Sequence, residues 1–219
     1  MKREKLPSRK RKALGRVAVM AVIVFCVNFF MHIGLLFPIQ AIWQLQERGG
    51  TGWTRVVTRD WVPELHKTHL VYLTENEEAL LLGNTYLTLY GWMAGADAVV
   101  DCTEDAPIYA GSTYMNRDGE WVWYYFGRVD DPAVATVTIL LQSEEWDNDT
   151  QTRFRRDIRS LETAEFYEKE GRRYFLLKDN GEWDYDTCSS PEPVIIGYDS
   201  AGEEVARLEI DRETFANFG

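Results

Sequence analysis

Short runs of β-branched and aromatic residues recur between residues 69 and 210, and turn-forming residues separate them. Runs of about four to eight such residues between turn formers are typical of β-strands. Their regular spacing predicts antiparallel β structure. The predicted strands are 69–73, 79–82, 86–90, 98–102, 120–128, 134–142, 173–178, 193–198 and 203–210.

Two segments in the last third of the chain predict β-hairpins. Residues 165–177 (EFYEKEGRRYFLL) and 193–210 (PVIIGYDSAGEEVARLEI) each place a glycine-containing turn between two extended runs. In the second hairpin, Val205, Leu208 and Ile210 do not alternate regularly, which predicts a bulge or a register change in that strand. Residues 149–165 are rich in charge and receive no assignment.

Residues 17–39 form an apolar run without a formally charged side chain, counting His as neutral. A helix of this length can cross a hydrocarbon core of ~30 Å. Residues 1–16 carry eight Lys or Arg and one Glu, and such positive charge marks the cytoplasmic side of a spanning helix. The sequence therefore predicts one helix in the lipid bilayer, a single-pass cell-membrane location, a cytoplasmic N-terminus and an extracellular C-terminal domain.

A cleaved signal peptide is the main alternative to a retained membrane anchor. Signal peptides usually have an apolar core of ~7 to 15 residues and a small-x-small cleavage site. The run here is longer, no A-x-A pattern follows it, and Cys26 lacks the small residues that precede a lipoprotein cysteine. A retained signal anchor is therefore favoured, with Pro38 and Trp43 at its outer end.

Glycines at residues 49, 50 and 52 form the first flexible segment after the apolar run, so the outer domain is expected to begin there. The expected fold class is one N-terminal transmembrane α-helix followed by a mainly-β extracytoplasmic domain. The predicted organisation is a basic cytoplasmic tail (1–16), a transmembrane signal anchor (17–43), a linker (44–52), a β-rich part (53–115) and a β-sandwich part (116–219).

Asn28 and His32 are four residues apart, so they share one face of the predicted helix. Polar side chains on such a face can hydrogen-bond to a neighbouring helix, as in an accessory subunit of a transporter or sensor. The alternative is that Asn28 is satisfied within its own helix and that His32 stays neutral near the interface.

The distribution of charge argues against a nucleic-acid partner. The formal net charge is -11, but residues 17–219 contain 16 basic and 34 acidic residues, a net charge of -18. So acidic a domain repels nucleic acid and anionic surfaces.

Three segments, FGRVDDPAVATVTILL (126–141), GRRYFLL (171–177) and PVIIGYDSAGEEVARLEI, together resemble a recurring β-sandwich pattern of extracytoplasmic bacterial proteins. The stretches LTENEEALLLGNTYLTLYGW and DCTEDAPIYAG are also similar to membrane-anchored proteins of Gram-positive bacteria whose activity is uncharacterised. The resemblance implies an immunoglobulin-like antiparallel sandwich and an extracytoplasmic compartment. It implies no activity.

Metal-type ligands are few. Glu64, His66 and His69 are concentrated in one segment, but on a strand the two histidines would point to opposite faces, so a solvated strand edge is the default interpretation. The Asp- and Asn-rich segments at 147–149 and 179–186 offer oxygen ligands for calcium, but neither completes an EF-hand loop and both residue types also make turns. No metal or cofactor is expected.

Two further groups of residues are candidates for a functional role. Cys102 and Cys188 are the cysteines beyond the apolar run, so they either form a disulfide or remain two thiols. Trp121, Trp123 and Tyr125 lie on one face of a predicted strand and form either a binding face or part of the core.

Motifs of common enzyme classes are missing from the sequence: there is no G-x-S-x-G, no P-loop and no H-E-x-x-H. A cell-wall hydrolase using acidic residues is an alternative, but no carboxylate pair can be chosen without a cleft. The sequence therefore predicts a non-catalytic binding or interaction module at the cell surface, with another envelope protein or cell-wall glycan as its partner.

Overall fold

A computed structural model describes residues 8–31, 35, 37–62, 68–89, 91–117, 120–147, 152–162, 166–179 and 192–210. The described residues form two helices and twelve strands. The helices are α1 (Ser8–Met31) and α2 (Pro38–Arg48). The strands are β1 (Arg55–Trp61), β2 (His69–Glu75), β3 (Ala79–Thr88), β4 (Gly91–Asp101), β5 (Ile108–Arg117), β6 (Glu120–Val129), β7 (Thr136–Asp147), β8 (Thr152–Glu162), β9 (Tyr167–Lys169), β10 (Arg172–Asp179), β11 (Glu192–Tyr198) and β12 (Glu204–Glu209).

The strands form three antiparallel sheets of four strands each. Sheet 1 has the order β1-β2-β3-β4, sheet 2 the order β5-β6-β10-β9, and sheet 3 the order β12-β11-β7-β8. Strands β1 and β9 are therefore outer strands of sheets 1 and 2. The central pairing of sheet 2 joins β6 to β10, two strands separated by the whole of β7, β8 and β9.

Three apolar cores hold these elements in four layers. Helix α2 buries Ile42 and Leu45 against sheet 1. Sheet 1 packs on sheet 2 through a core that includes Leu73 and Phe126, and sheet 2 packs on sheet 3 through a core that includes Tyr125. Successive side chains of a strand point to opposite faces, so β6 sends Val122, Tyr124 and Phe126 to sheet 1 and Trp123 and Tyr125 to sheet 3.

Both predicted hairpins are confirmed. The β9–β10 turn has positive φ angles at Glu170 (51°) and Gly171 (79°), as a two-residue hairpin turn of the primed type requires. In the β11–β12 hairpin, Asp199 Oδ1 accepts hydrogen bonds from the backbone N–H groups of Ala201 and Glu203, 2.8 and 2.9 Å away. The expected irregularity is also present, since the register shifts by one residue at Val205.

Three strands were not predicted from the sequence: β1, β5 and β8. Strand β8 occupies the charge-rich segment, where it pairs with β7 along ten residue pairs. Across this pairing, Gln142 Nε2 donates a hydrogen bond of 2.7 Å to Asp157 Oδ1. Polar cross-strand pairs stabilise an antiparallel ladder, so a polar sequence can form a strand there without an apolar run.

The transmembrane segment predicted over 17–43 is corrected by the structure. The apolar run is interrupted: α1 ends at Met31, the backbone of Leu35 exchanges hydrogen bonds of 2.9 and 2.7 Å with Trp92, and α2 begins at Pro38. Proline favours the first turn of a helix and holds the residue before it extended, and Phe37 has φ -127° and ψ 143°. Leu35 and the start of α2 therefore belong to the β-rich body.

Helix α1 is described in its side chains over residues 12–27, all of which are exposed. Within the described part of the chain, neither helix offers a stretch that is long and apolar enough to cross a bilayer. The single-pass topology, and the cell-membrane location derived from it, are therefore not supported.

The mainly-β structure is compatible with the expected β-sandwich, although the number of sheets differs. The described chain is mainly β and antiparallel, as expected, but its strands form three sheets and not one pair. The boundary placed at 115/116 falls inside β5, which pairs with β6 along ten residue pairs. Sheet 2 is thereby shared between the two cores, so the body is a continuous stack of layers.

Candidate functional site

A cleft of about 360 Å³ opens between sheets 1 and 2, at the side where β1 and β9 are the outer strands. Charged and amide side chains dominate its walls, and a tryptophan lies beside them. The lining residues are Trp53, Arg55, Glu75, Asn76, Glu77, Glu170 and Arg172. We call this site the Trp53 cleft.

Glu75 forms the floor of the Trp53 cleft. It is the last residue of β2, and the alternation of that strand directs its side chain towards sheet 2, on the same face as Val71 and Leu73. The side chain is completely buried. Arg55 lies directly opposite on β1, and its Nε donates a hydrogen bond of 3.1 Å to Glu75 Oε1.

Arg128 approaches Glu75 from β6 of sheet 2. Its guanidinium is buried, stacks over the Tyr109 ring at 4.5 Å and donates two hydrogen bonds of 2.8 Å to the carboxylate of Asp130. The remaining nitrogen, NH1, lies 3.8 Å from Glu75 Oε2. Such a bidentate pair with a stacked ring fixes the orientation of the guanidinium.

Arg172 and Tyr174, both on β10, complete the surroundings of Glu75. Arg172 NH1 lies 3.5 Å from Glu75 Oε2. Burial raises the pKa of the Tyr174 hydroxyl, and the nearby carboxylate of Glu75 raises it further. That hydroxyl therefore stays protonated at neutral pH.

The buried cluster is an electrostatic link between two sheets. Glu75 and Arg55 belong to sheet 1, whereas Arg128, Arg172 and Tyr174 belong to sheet 2. The Coulombic attraction within an ion pair is larger in a desolvated position than at the surface, and a buried charge left without a partner is costly. The cluster consequently fixes the floor of the cleft.

The outer wall of the cleft is more exposed. Arg55 NH1 also contacts Glu170, which belongs to the β9–β10 turn and has a side chain that is 62% exposed. Arg172 is 36% exposed in its side chain, and Glu77 is exposed on the turn after β2. These groups can reach a molecule that enters the cleft.

Trp53 is 74% exposed, yet the loop that carries it is anchored on both sides. Asn76 donates a 2.7 Å hydrogen bond to the carbonyl of Thr51, and the buried Thr54 donates one of the same length to Thr74. Gly52 has φ +66°, a conformation that most other residues avoid. The indole is therefore presented to solvent by a well-bonded loop.

A second cleft, of about 700 Å³, lies on the other side of β1. Its lining is more apolar, with two basic residues. Lys169 reaches across it from β9 and donates a hydrogen bond to the carbonyl of Val56. The lining residues are Phe37, Pro38, Ile39, Val56, Val57, Thr58, Arg59, Tyr72 and Lys169.

The predicted aromatic face lies largely in the core. Trp123 and Tyr125 are buried between sheets 2 and 3, at 4% and 0% exposure. Trp121 belongs to β6, but its side chain is outside the described part. The strand is central to sheet 2, so both of its faces are covered.

The other predicted site residues do not converge on the Trp53 cleft. Cys102 is buried, and burial raises the pKa of its thiol to about 11, whereas Cys188 lies outside the described residues. Asn28 belongs to α1 without a described side chain, and His32 is outside the described residues. The disulfide and the helix contact stay predictions.

The residues considered as metal ligands are equally dispersed. His69 is buried and stacks on Tyr86 at 5.4 Å, whereas Glu64 and His66 lie outside the described residues. Asp179 is buried and forms a 2.9 Å ion pair with Arg159. Among the described residues, no group of three or more His, Cys, Asp or Glu side chains is placed to hold a metal ion.

The Trp53 cleft could not be predicted from the sequence, because its residues come from distant parts of the chain. Arg55 and Arg172 are more than a hundred residues apart and belong to different sheets. One local signal was present: Trp53 directly follows a glycine-rich segment, which is typical of a loop.

Comparison with known proteins identifies no relative of this chain. The chain matches no family model, no curated protein and no solved structure.

Proposed function

We propose that the protein is a non-catalytic binding module that recognises a carbohydrate in the Trp53 cleft. The observation that carries the proposal is the exposure of Trp53, 74%, beside a cleft lined by charged and amide side chains. Burying such an indole on a ligand is favourable because aromatic side chains contribute large apolar contact areas. The C–H face of a sugar ring offers a flat apolar partner of suitable size.

The polar lining of the cleft supplies the hydrogen-bonding groups that carbohydrate recognition also requires. A sugar hydroxyl both donates and accepts hydrogen bonds, so it matches a surface that contains guanidinium donors and carboxylate acceptors. Arg172, Glu77 and Glu170 provide both kinds of group at the mouth of the cleft. A binding site with an apolar contact and a few oriented polar groups is the usual composition of a small-ligand site.

A non-catalytic role is favoured by the position of Glu75. A glycosidase places two carboxyl groups across the bond that it cleaves. Here the buried carboxylate of the cleft faces Arg55, Arg128 and Arg172, which engage it as part of the fold. Glu77 and Glu170, the other acids of the cleft, belong to its exposed rim.

The test is a binding screen of the full chain against a panel of soluble gluco-, galacto-, manno- and N-acetylglucosamine oligosaccharides and peptidoglycan fragments. We expect at least one saccharide to bind, and Trp53→Ala to weaken that binding by at least tenfold. Trp43→Ala is the matched control, since Trp43 is also exposed but belongs to α2. Absence of binding across the panel, or equal losses in the two variants, would overturn the proposal.

A further inference from the structure

Resting on the proposed function, we infer that the Trp53 cleft selects acidic saccharides, whose carboxylate takes the place of Glu170 at Arg55. Arg55 joins two carboxylates that differ in their surroundings. Its Nε and NH2 donate to the buried Glu75, whereas its NH1 contacts the exposed Glu170. The first contact belongs to the interior of the fold and the second to its surface.

Glu170 is held weakly enough to be displaced. Its side chain is 62% exposed, and ion pairs in contact with water contribute little to stability. It lies in the two-residue turn between β9 and β10, where it has a φ angle of 51°. A change of its side-chain rotamer would release Arg55 NH1 without altering either sheet.

The charge balance of the cluster changes when Glu170 turns away. Arg55, Arg128 and Arg172 then face two engaged carboxylates, Glu75 and Asp130. One positive charge is left uncompensated, at the place where Arg55 and Arg172 are accessible from the cleft. A ligand carboxylate would restore the balance that Glu170 maintains in its absence.

Arginine is well suited to this exchange. Its planar guanidinium donates parallel hydrogen bonds to a carboxylate. Among the described residues, the ionic contact of Arg172 is with Glu75 Oε2 at 3.5 Å, so its other donors can turn towards the cleft. A uronic acid lying on Trp53 would present its carboxylate to these two arginines.

Glu77 provides an internal control for this inference. It is a second acid of the cleft rim, and within the described residues it forms no ion pair with the three arginines. Removing its charge makes the cleft less negative but does not release Arg55. A general charge effect and a specific exchange at Arg55 can therefore be separated by comparing Glu77→Gln with Glu170→Gln.

The experiment measures the affinity of the full chain for matched pairs of neutral and C6-oxidised gluco-, galacto- and mannooligosaccharides, at low and high salt. We expect the oxidised member of at least one pair to bind at least tenfold more tightly, and the difference to shrink in 1 M salt, where the Debye length is about 3 Å. Glu170→Gln should raise affinity for the acidic saccharide about three- to tenfold and leave the neutral one unchanged. Glu77→Gln should have a smaller effect.

Arg172→Gln should remove the preference for the acidic member. If neutral and acidic saccharides bind equally, or if Glu77→Gln and Glu170→Gln act alike, this inference is overturned while Trp53-dependent binding still supports the proposed function. If no saccharide of any pair or of the wider panel binds, both are overturned.

Discussion

Arg55 and Glu75 face each other directly across β1 and β2, and the guanidinium Nε lies 3.1 Å from the carboxylate oxygen that it contacts. This pair lies where sheet 1 meets sheet 2, because the other oxygen of Glu75 faces Arg128 and Arg172. The same carboxylate thus joins two sheets and forms the floor of the Trp53 cleft.

Replacing Glu75 should destabilise the protein strongly. Glu75→Ala leaves the buried guanidinium of Arg128 with Asp130 alone, and loss of one partner from a buried ion pair typically costs about 3–5 kcal/mol. We expect the free energy of unfolding, measured by denaturant titration, to fall by about 3 kcal/mol. Glu77→Ala is the control, as Glu77 is exposed and should change stability little. Similar losses in the two variants would contradict a structural role for the cluster.

The two tryptophans Trp53 and Trp123 should behave in opposite ways. Trp123 is 4% exposed between sheets 2 and 3, so Trp123→Ala should lower the free energy of unfolding by about 3–5 kcal/mol. Trp53→Ala should leave stability nearly unchanged and weaken only ligand binding, since Trp53 is 74% exposed. Thermal and chemical unfolding of the two variants checks this expectation. A stable Trp123→Ala protein would show that this side chain lies at a surface.

Cys102 should react slowly with thiol reagents in the folded protein. Burial raises its pKa to about 11 from 9.0, so the thiol stays protonated below that pH and its thiolate population grows only as the pH approaches about 11. At pH 8 this lowers the thiolate fraction about a hundredfold relative to an ordinary cysteine. Limited access adds to the protection.

The measurement uses a chain in which Cys26 and Cys188 are replaced by Ser, so that Cys102 is the sole thiol. Its reaction rate is followed against pH in native buffer and again in denaturant. We expect at least a hundredfold acceleration on unfolding at pH 8. A rate that is equal in the two states would place Cys102 outside the core between sheets 1 and 2.

Local sequence rules were sufficient for much of the β structure. Turn chemistry at Glu170-Gly171 and around Asp199 acts over a few residues, which is why both hairpins and the irregularity at Val205 could be predicted. Strand β8 could not, because its sequence is charge-rich and carries no apolar pattern, and its pairing with β7 is formed only in the folded chain.

The apolar run at 17–39 shows that hydropathy alone does not determine what covers an apolar segment. An apolar segment has the same composition whether lipid or another part of the protein covers it. Pro38 marks the start of α2 at the end of this run, but only the pairing of Leu35 with Trp92 and the packing of α2 on sheet 1 show that the chain joins the β-rich body here. The prediction failed at this point because burial is a property of the tertiary structure.

The amino-acid sequence alone indicates that the chain is largely β, where several of its strands and turns lie, and that its bulk is strongly acidic. Three features follow only from the folded structure: the described strands form three sheets, the aromatic strand β6 is covered on both faces, and arginines from β1, β6 and β10 surround one glutamate. The difference is one of distance along the chain, because turns and side-chain alternation are properties of neighbouring residues. Layer order and the charge balance of a buried cluster depend on strands that meet only after the chain has folded.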